Sequence, residues 1–309
     1  MTAVTLTLGL VGCGNWGKLI YHELLAMGHR VKVFDPIKPD ISNIDWIPSE
    51  QLSLALELES ANCDALIMAT PASQTPETLR RLVSLDLPTF VEKPLGLCPS
   101  QLSFLDPKEH SHVKMMHIWR YHPAIEALRD ICTTEQLGEI KGLRTYRSGW
   151  TSPRKDVDSL WNLVIHDLTI SKEVFGYVPP TQFAAAEQHR GVIRGAIILL
   201  GNQPYHWIEV SNRVERKIRE VRVHGTDGVA VWHDDSNAFV TLYRGDDKSS
   251  LDNLDAVKIP IVKDSALRRE LVAFVEFVRG NSSPKSDLEE GLELVNRISE
   301  IQRLIRKND

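Results

Sequence analysis

The sequence predicts an α/β fold whose first third is a doubly wound parallel sheet, followed by an α+β domain with a mostly antiparallel sheet. Three observations carry this. Short apolar runs alternate with helix-period segments up to about residue 118, the pattern of parallel strands joined by right-handed crossover helices. A glycine loop, Gly12-Cys13-Gly14-Asn15-Trp16-Gly17, separates the first apolar run from the first helical segment. Between about residues 181 and 261, strand-like runs follow one another with Gly-Asn, Asp-Gly and Gly-Asp-Asp between them, as antiparallel hairpins require.

In order, residues 4–11 read as a buried strand and 15–27 as a helix; 31–34 is a second strand. Residues 49–58 read as a helix that Ser49 would cap, 65–69 as a strand, 76–85 as a helix, and 89–91 and 113–118 as strands. A helix is expected over 124–131, a long strand over 140–148, and a helical segment over 160–174 closed by Gly176, Pro179 and Pro180. Strands over 191–200, 206–212, 218–224, 229–233 and 239–243 follow, and two helices end the chain. In the last, Leu288, Leu292, Val295, Ile298, Ile301 and Ile305 form one apolar stripe, read as core. We expect a dinucleotide-binding domain over 1–119 and a substrate and oligomerisation domain over 120–309.

The 309 residues suffice for two domains, and 42% hydrophobic with 25% charged content is ordinary for a globular protein. A net charge of −5 argues against nucleic acid or an anionic membrane as the main partner. No apolar run reaches the ~18–20 residues of a spanning helix. The N-terminus alternates like a strand and has no basic region, so a cytoplasmic location is expected. Cys13, Cys63, Cys98 and Cys132 form no CxxC pair and read as reduced thiols. Cys13 reads as a small space-filler. The pairs His110/His112 and His117/His122 lack clustered carboxylates, and no metal site is expected.

The glycine loop follows a strand directly and opens a helix, which is what gives the motif weight. There Gly12 makes the tight turn, Gly14 lets a pyrophosphate approach bare backbone, and Gly17 lets helix and strand pack closely, with Asn15 and Trp16 between them. Asp35 ends the second strand, 18 residues past Gly17, where a carboxylate accepts from ribose hydroxyls and repels a 2′-phosphate. No arginine follows it, which favours NAD over NADP as cofactor. Ala69-Thr70-Pro71 closes another strand at the ligand edge and is assigned to backbone contact with the cofactor. Glu92-Lys93-Pro94-Leu95 follows the strand over 89–91; its lysine would hydrogen-bond a substrate oxygen at the nicotinamide. His166-Asp167 lies in the 160–174 helix with Asn162 four residues earlier, which places Asn162 and His166 on one helix face. An imidazole of intrinsic pKa ~6.5 suits proton removal from an alcohol.

Together these residues resemble the glucose–fructose oxidoreductase, inositol dehydrogenase and rhizopine-catabolism (Gfo/Idh/MocA) family over nearly the whole chain. The resemblance runs through Gly12–Gly17, Asp35, Ala69-Thr70-Pro71, Glu92-Lys93-Pro94-Leu95, Arg120-Tyr121-His122-Pro123, Leu137-Gly138-Glu139-Ile140, His166-Asp167-Leu168 and a helix over 267–280. It implies an open, mostly antiparallel sheet in the second domain, assembly into a homodimer or homotetramer through its outer face, and hydride transfer at a secondary alcohol of a sugar or cyclitol. It implies Lys93 and His166 as the catalytic pair and a cis Lys93–Pro94 bond. Asn162 stands where many relatives carry aspartate, and Thr169 replaces a frequent second acid.

The stretch Asp156–Asn162 resembles relatives acting on nucleotide-linked amino sugars. Arg120, Tyr121, Arg147, Trp150 and Arg154 could serve such a substrate, with ordinary surface or core roles as the alternative for each. A non-catalytic NAD sensor and an imine or tetrapyrrole reductase are the competing functions. Lys93 with His166 counts against the first, and His166 against the second.

Overall fold

In the computed structural model of the protein, the residues described are 4–49, 62–151, 156–234, 238–245, 248–250 and 254–308. The chain divides into two compact units, residues 1–117 with 267–296 and residues 118–266 with 297–309.

The first unit is built on strands β1 (Thr7–Val11), β2 (Arg30–Phe34), β3 (Asp45–Ile47), β4 (Ala65–Met68), β5 (Thr89–Glu92) and β6 (Val113–Met116). They form one parallel sheet in the order β3-β2-β1-β4-β5-β6, the doubly wound arrangement expected. β4, Ala-Leu-Ile-Met, is buried throughout, because crossover helices cover both faces of such a sheet. Helix α1 (Asn15–Ala26) buries Gly17, Ile20, Tyr21 and Leu24, one helical stripe. Gly28, at φ +84°, ends it: the Met27 and Gly28 amides donate to the Glu23 and Leu25 carbonyls. Helix α2 (Thr75–Leu82) continues into a 3₁₀ turn, Val83–Leu85. The helix expected over 49–58 lies outside the described residues apart from Ser49.

The expected division at residues 119/120 needs correction, because 267–296 packs with the first unit. The Phe274 ring stacks on Phe90 of β5 with centroids 4.6 Å apart. The Met115 amide of β6 donates to the Ser286 carbonyl at 3.1 Å. At Gly291, a Cβ would lie 2.8 Å from the Met115 side chain, which would have to shift to admit it.

The second unit contains helix α3 (Pro123–Thr133), strand β7 (Ile140–Trp150), a π-helical turn (Leu160–Val164) that runs directly into helix α4 (Ile165–Phe175), and seven further strands. These are β8 (Thr181–His189), β9 (Val192–Leu200), β10 (Tyr205–Ser211), β11 (Arg213–Gly225), β12 (Gly228–His233), β13 (Phe239–Arg244) and β14 (Asp255–Pro260). The sheet order is β14-β13-β12-β11-β7-β10-β9-β8, antiparallel except where β10 runs parallel to β7. Leu128 and Ile131 of α3 and Ile170 and Val174 of α4 pack against Leu143, Val221, Val223, Trp232 and Leu242 of the sheet. The opposite parity leaves Phe183, Ile197 and Trp207 on the other face at 48, 39 and 40% exposure. Helix α5 (Ala266–Val278) falls with the first unit, and helix α6 (Leu288–Asn308) contributes its first part there and its remainder to the second.

β3, β8 and β14 were not anticipated. Each is a sheet edge, and an edge strand keeps exposed polar residues that blur the apolar pattern.

Candidate active site

In the first unit, the register brings four separate sequence motifs into one row. Val11 pairs with Phe34 and Met68, Met68 with Val91, and Glu92 with Met116. Asp35, Gly12, Ala69 and Glu92 are therefore neighbours along the carboxyl edge of the sheet, and Lys93 and His117 follow one residue later. This edge, beside the β1/β4 switch point, is where doubly wound sheets hold ligands.

Each glycine of the loop has its own geometric reason. Gly12 sits at φ +88°, and a Cβ there would lie 2.8 Å from the Ala69 carbonyl oxygen. At Gly17 a Cβ would lie 2.5 Å from the Gly12 carbonyl oxygen, so only glycine lets α1 start against the loop. Gly14 is the reverse case: a Cβ there meets nothing within 4 Å. The backbone is bare and open where a pyrophosphate would lie, at the N-terminus of a 12-residue helix. The residues present fit a dinucleotide.

Asp35 is bound into the loop. Its carboxylate accepts from the Cys13 amide at 2.7 Å and from the Ile37 amide at 2.9 Å, so it both caps the turn at Pro36 and lies against the glycine loop. Its carbonyl accepts the Trp46 indole N–H at 2.8 Å, and the Lys38 ammonium lies 5.9 Å from the Trp46 ring. Burial, and next the Asp35 charge, pushes the Cys13 thiol to about 11, so it is an inert space-filler at neutral pH. The Trp16 indole N–H is buried without an acceptor among the described residues. Asn15, the first residue of α1, is exposed. In Ala69-Thr70-Pro71 the Ala69 amide donates to the Val11 carbonyl, the Pro71 carbonyl accepts the Gln74 amide, and the Thr70 hydroxyl meets that of Thr75 at 3.0 Å. The Lys93–Pro94 bond is cis.

Sequence reasoning missed a buried polar group at the same edge. The His117 Nδ1 meets the Glu290 carboxylate at 2.7 Å, and Ser286 donates to the same oxygen at 2.8 Å. Glu270 of α5 is fully buried, with the His117 backbone amide near its carboxylate. Burial, reinforced by the charge of Glu92, pushes its carboxyl well above the usual range. The available signal was the position of His117 after a strand, as Lys93 follows β5.

In the second unit, His166 is the second residue of α4 and Asn162 lies in the π-helical turn before it. The stretch between the two is not uniformly α-helical, because a π-helical turn runs directly into the helix. Such turns recur at functional sites. Thr169 donates to the His166 carbonyl at 2.7 Å. The Trp119 ring lies 6.3 Å from the His166 ring, tilted by 59°. Arg120 is committed to Glu173 of α4, Nε to Oε2 at 3.1 Å, and Arg129 bonds the other Glu173 oxygen. Tyr121 is buried. Arg147 is buried against Asp167, while Trp150 is 68% exposed with the Arg213 guanidinium 5.7 Å from its ring. Arg154 lies outside the described residues.

Among the described residues no group of three or more His, Cys, Asp or Glu side chains could hold a metal ion. None of their helices is long and apolar enough to cross a membrane.

No family model matches the chain. It is 24% identical over 184 residues to a myo-inositol dehydrogenase of Streptomyces leeuwenhoekii, a match covering 55% of this chain and 56% of that protein. The chain therefore spans about half the length of that curated relative. Among solved structures it is similar to a UDP-N-acetylglucosamine 3-dehydrogenase of Acidithiobacillus ferrooxidans, with TM-score 0.82, 19% identity, and coverage of 98% of this chain and 99% of that one. It is also similar to an oxidoreductase of Desulfitobacterium hafniense described as NADPH-dependent, with TM-score 0.84, 14% identity, and coverage of 99% and 97%. At these identities the structural likeness establishes the fold. The curated relative, these folds and the motifs along the sheet edge fit one family, and the chain has the fold of the Gfo/Idh/MocA oxidoreductases.

Proposed function

We propose that this chain is an NAD(H)-dependent oxidoreductase that transfers a hydride between nicotinamide and a secondary alcohol carbon of a sugar, cyclitol or nucleotide sugar. The observation that carries this is the row Asp35, Gly12, Ala69 and Glu92 along one sheet edge, with open ground over Gly14. Gly12, Gly14, Asn15, Trp16 and Gly17 would hold the pyrophosphate, Asp35 the adenosine ribose, and Ala69-Thr70-Pro71 and Glu92-Lys93-Pro94 the length of the dinucleotide. A bound nicotinamide supplies or accepts the hydride.

The protein's own contribution is charge and proton handling. The Lys93 ammonium donates a hydrogen bond to the reacting oxygen and favours negative charge there. The His166 imidazole takes the hydroxyl proton in oxidation and returns it in reduction. Arg120, Tyr121 and Asn162 are assigned to the substrate side, Arg120 with its charge already shared with Glu173. The NAD preference rests on the Asp35 carboxylate held against the loop, which repels a 2′-phosphate. For substrate class, the support is that a relative is named for myo-inositol and a structural neighbour for a UDP-amino sugar. Assembly as a homodimer or homotetramer is proposed through the face bearing Phe183, Ile197 and Trp207; light scattering on purified protein reads the mass directly.

Thermal shift with NADH, NADPH, myo-inositol and UDP-N-acetylglucosamine tests the function. A ligand at a hundred times its Kd adds about 2.7 kcal/mol. NADH should raise the melting temperature, and absence of any shift with either dinucleotide would overturn the proposal.

A further inference from the structure

The helix that carries His166 has a defined anchor. Asp167, the next residue, is buried and receives both sides of one guanidinium: Arg147 Nε to Oδ2 and Nη2 to Oδ1, each at 3.3 Å. Burial pushes the Asp167 carboxyl up and Arg147 opposes this. The same guanidinium lies 4.3 Å from the centre of the Trp119 ring, which in turn neighbours His166. Arg147 therefore touches the residue beside His166 in sequence and a ring beside it in space. The other charged and titratable groups here are His122, stacked on Trp119 at 4.9 Å, and Arg219, 5.8 Å from the same ring and paired with Asp234 at 3.2 Å.

A buried ion pair is a poor source of stability, because desolvating two charges offsets their attraction. What it does supply is direction. The π-helical turn ends at Val164, so regular α-helical spacing starts only at the head of α4. Successive residues of an α-helix are about 100° apart, so tying Asp167 to β7 fixes the angle at which His166 projects, and Trp119 limits its ring from the side.

We propose that Arg147, bonded to Asp167 and packed on Trp119, is a positioning residue for His166. The proposal rests on the assignment of proton transfer to His166 made above.

The test compares wild type, Arg147→Met/Asp167→Asn, His166→Ala and the triple variant; the paired change leaves no buried charge unpartnered. The His166 ring resonances, identified by their loss in His166→Ala, report tautomer and pKa without any substrate. In the paired variant NADH affinity should hold while the tautomer ratio changes or the pKa moves by about half a unit or more. With myo-inositol or UDP-N-acetylglucosamine as probe, kcat should fall about ten- to a hundredfold, as misplacement of a catalytic group does, with a smaller change in KM. On the His166→Ala background the paired change should cost nothing more.

Unchanged His166 resonances, or losses that multiply in the triple variant, would overturn the positioning role while leaving His166 in place. A fully active His166→Ala on a substrate that is turned over would instead overturn the proton-transfer assignment, and the positioning role with it. If the paired variant does not fold, Trp119→Leu is read by the same resonances.

Discussion

Gly14 and Gly12 stand two residues apart, and the structure assigns them opposite consequences on substitution. At Gly14 a side chain finds open space, with no heavy atom within 4 Å of a Cβ. Gly14→Val therefore costs little in packing. As Gly14 is also the N-cap of α1, losing a good cap residue costs about 0.5–1 kcal/mol. At Gly12 the backbone is left-handed, φ +88°, and the Cβ would press on the Ala69 carbonyl at 2.8 Å. Gly12→Ala costs about 1–2 kcal/mol for the backbone alone, before Ala69 moves. At roughly 2–4 °C per kcal/mol for a chain of this size, Gly12→Ala should lower the melting temperature by at least several degrees and Gly14→Val by less. In NADH titration calorimetry Gly14→Val should bind more than about a hundredfold more weakly, near 2.8 kcal/mol, because the branched side chain fills the pyrophosphate cradle. Wild-type NADH affinity in a folded Gly14→Val would refute the cradle and, with it, the placement of the cofactor.

Three further outcomes follow from the site. Asp35→Ser should narrow or reverse the preference for NADH over NADPH by removing the charge that meets a 2′-phosphate; calorimetry showing wild type binding NADPH as tightly as NADH would end the charge argument. His166→Ala should lower turnover about 10²–10⁴-fold and remove an inflection from the pH–rate profile, and Asn162→Asp should move that inflection upward by adding a negative charge; an inflection that stays put means Asn162 faces away from His166. For Glu270 the folded carboxyl titrates far above its unfolded value, so folding keeps a proton that the unfolded chain releases, and stability falls as pH rises from about 4.3 towards the folded value. Glu270→Gln should match wild type in urea unfolding near pH 4 and exceed it at pH 8; parallel pH curves would mean that Glu270 is ionised in the folded protein.

The central strands were legible because burial on both faces demands unbroken apolar runs. Ala-Leu-Ile-Met of β4 admits few other readings; β1 and β5 keep apolar centres, while β2 and the edge strand β6 each carry one lysine, Lys32 and Lys114, among apolar residues. The strands that escaped are β3, β8 and β14, all at edges. In β14 only Ile259 is less than exposed, so its sequence, Asp-Ala-Val-Lys-Ile-Pro, carries almost no record of a core. The return of α5 and the start of α6 to the first unit was hidden for a different reason. An apolar helix stripe records that a helix is packed without recording against what, and the stacking of Phe274 on Phe90 joins residues 184 positions apart.

The candidate site divides along the same physical line. Its cofactor side is local: Gly12–Gly17 sit in one turn, and Asp35, Ala69 and Glu92 each end a strand, so parallel pairing alone aligns them. Sequence order and one fold rule suffice. The surroundings of His166 are instead built from Trp119, Arg147 and Arg219, which lie on a 3₁₀ turn and two strands of different sequence regions. Arg147 and Arg219 become direct neighbours only through the β7–β11 register. A one-residue slip of that register would turn one of them to the outer face of the sheet. Sequence alone leaves Arg147 open between a cation for substrate and an ordinary surface or core role, and the pairing that buries it against Asp167 has no local signature. What a linear reading can supply here is the chemistry of His166; the direction in which its imidazole points is a property of the sheet.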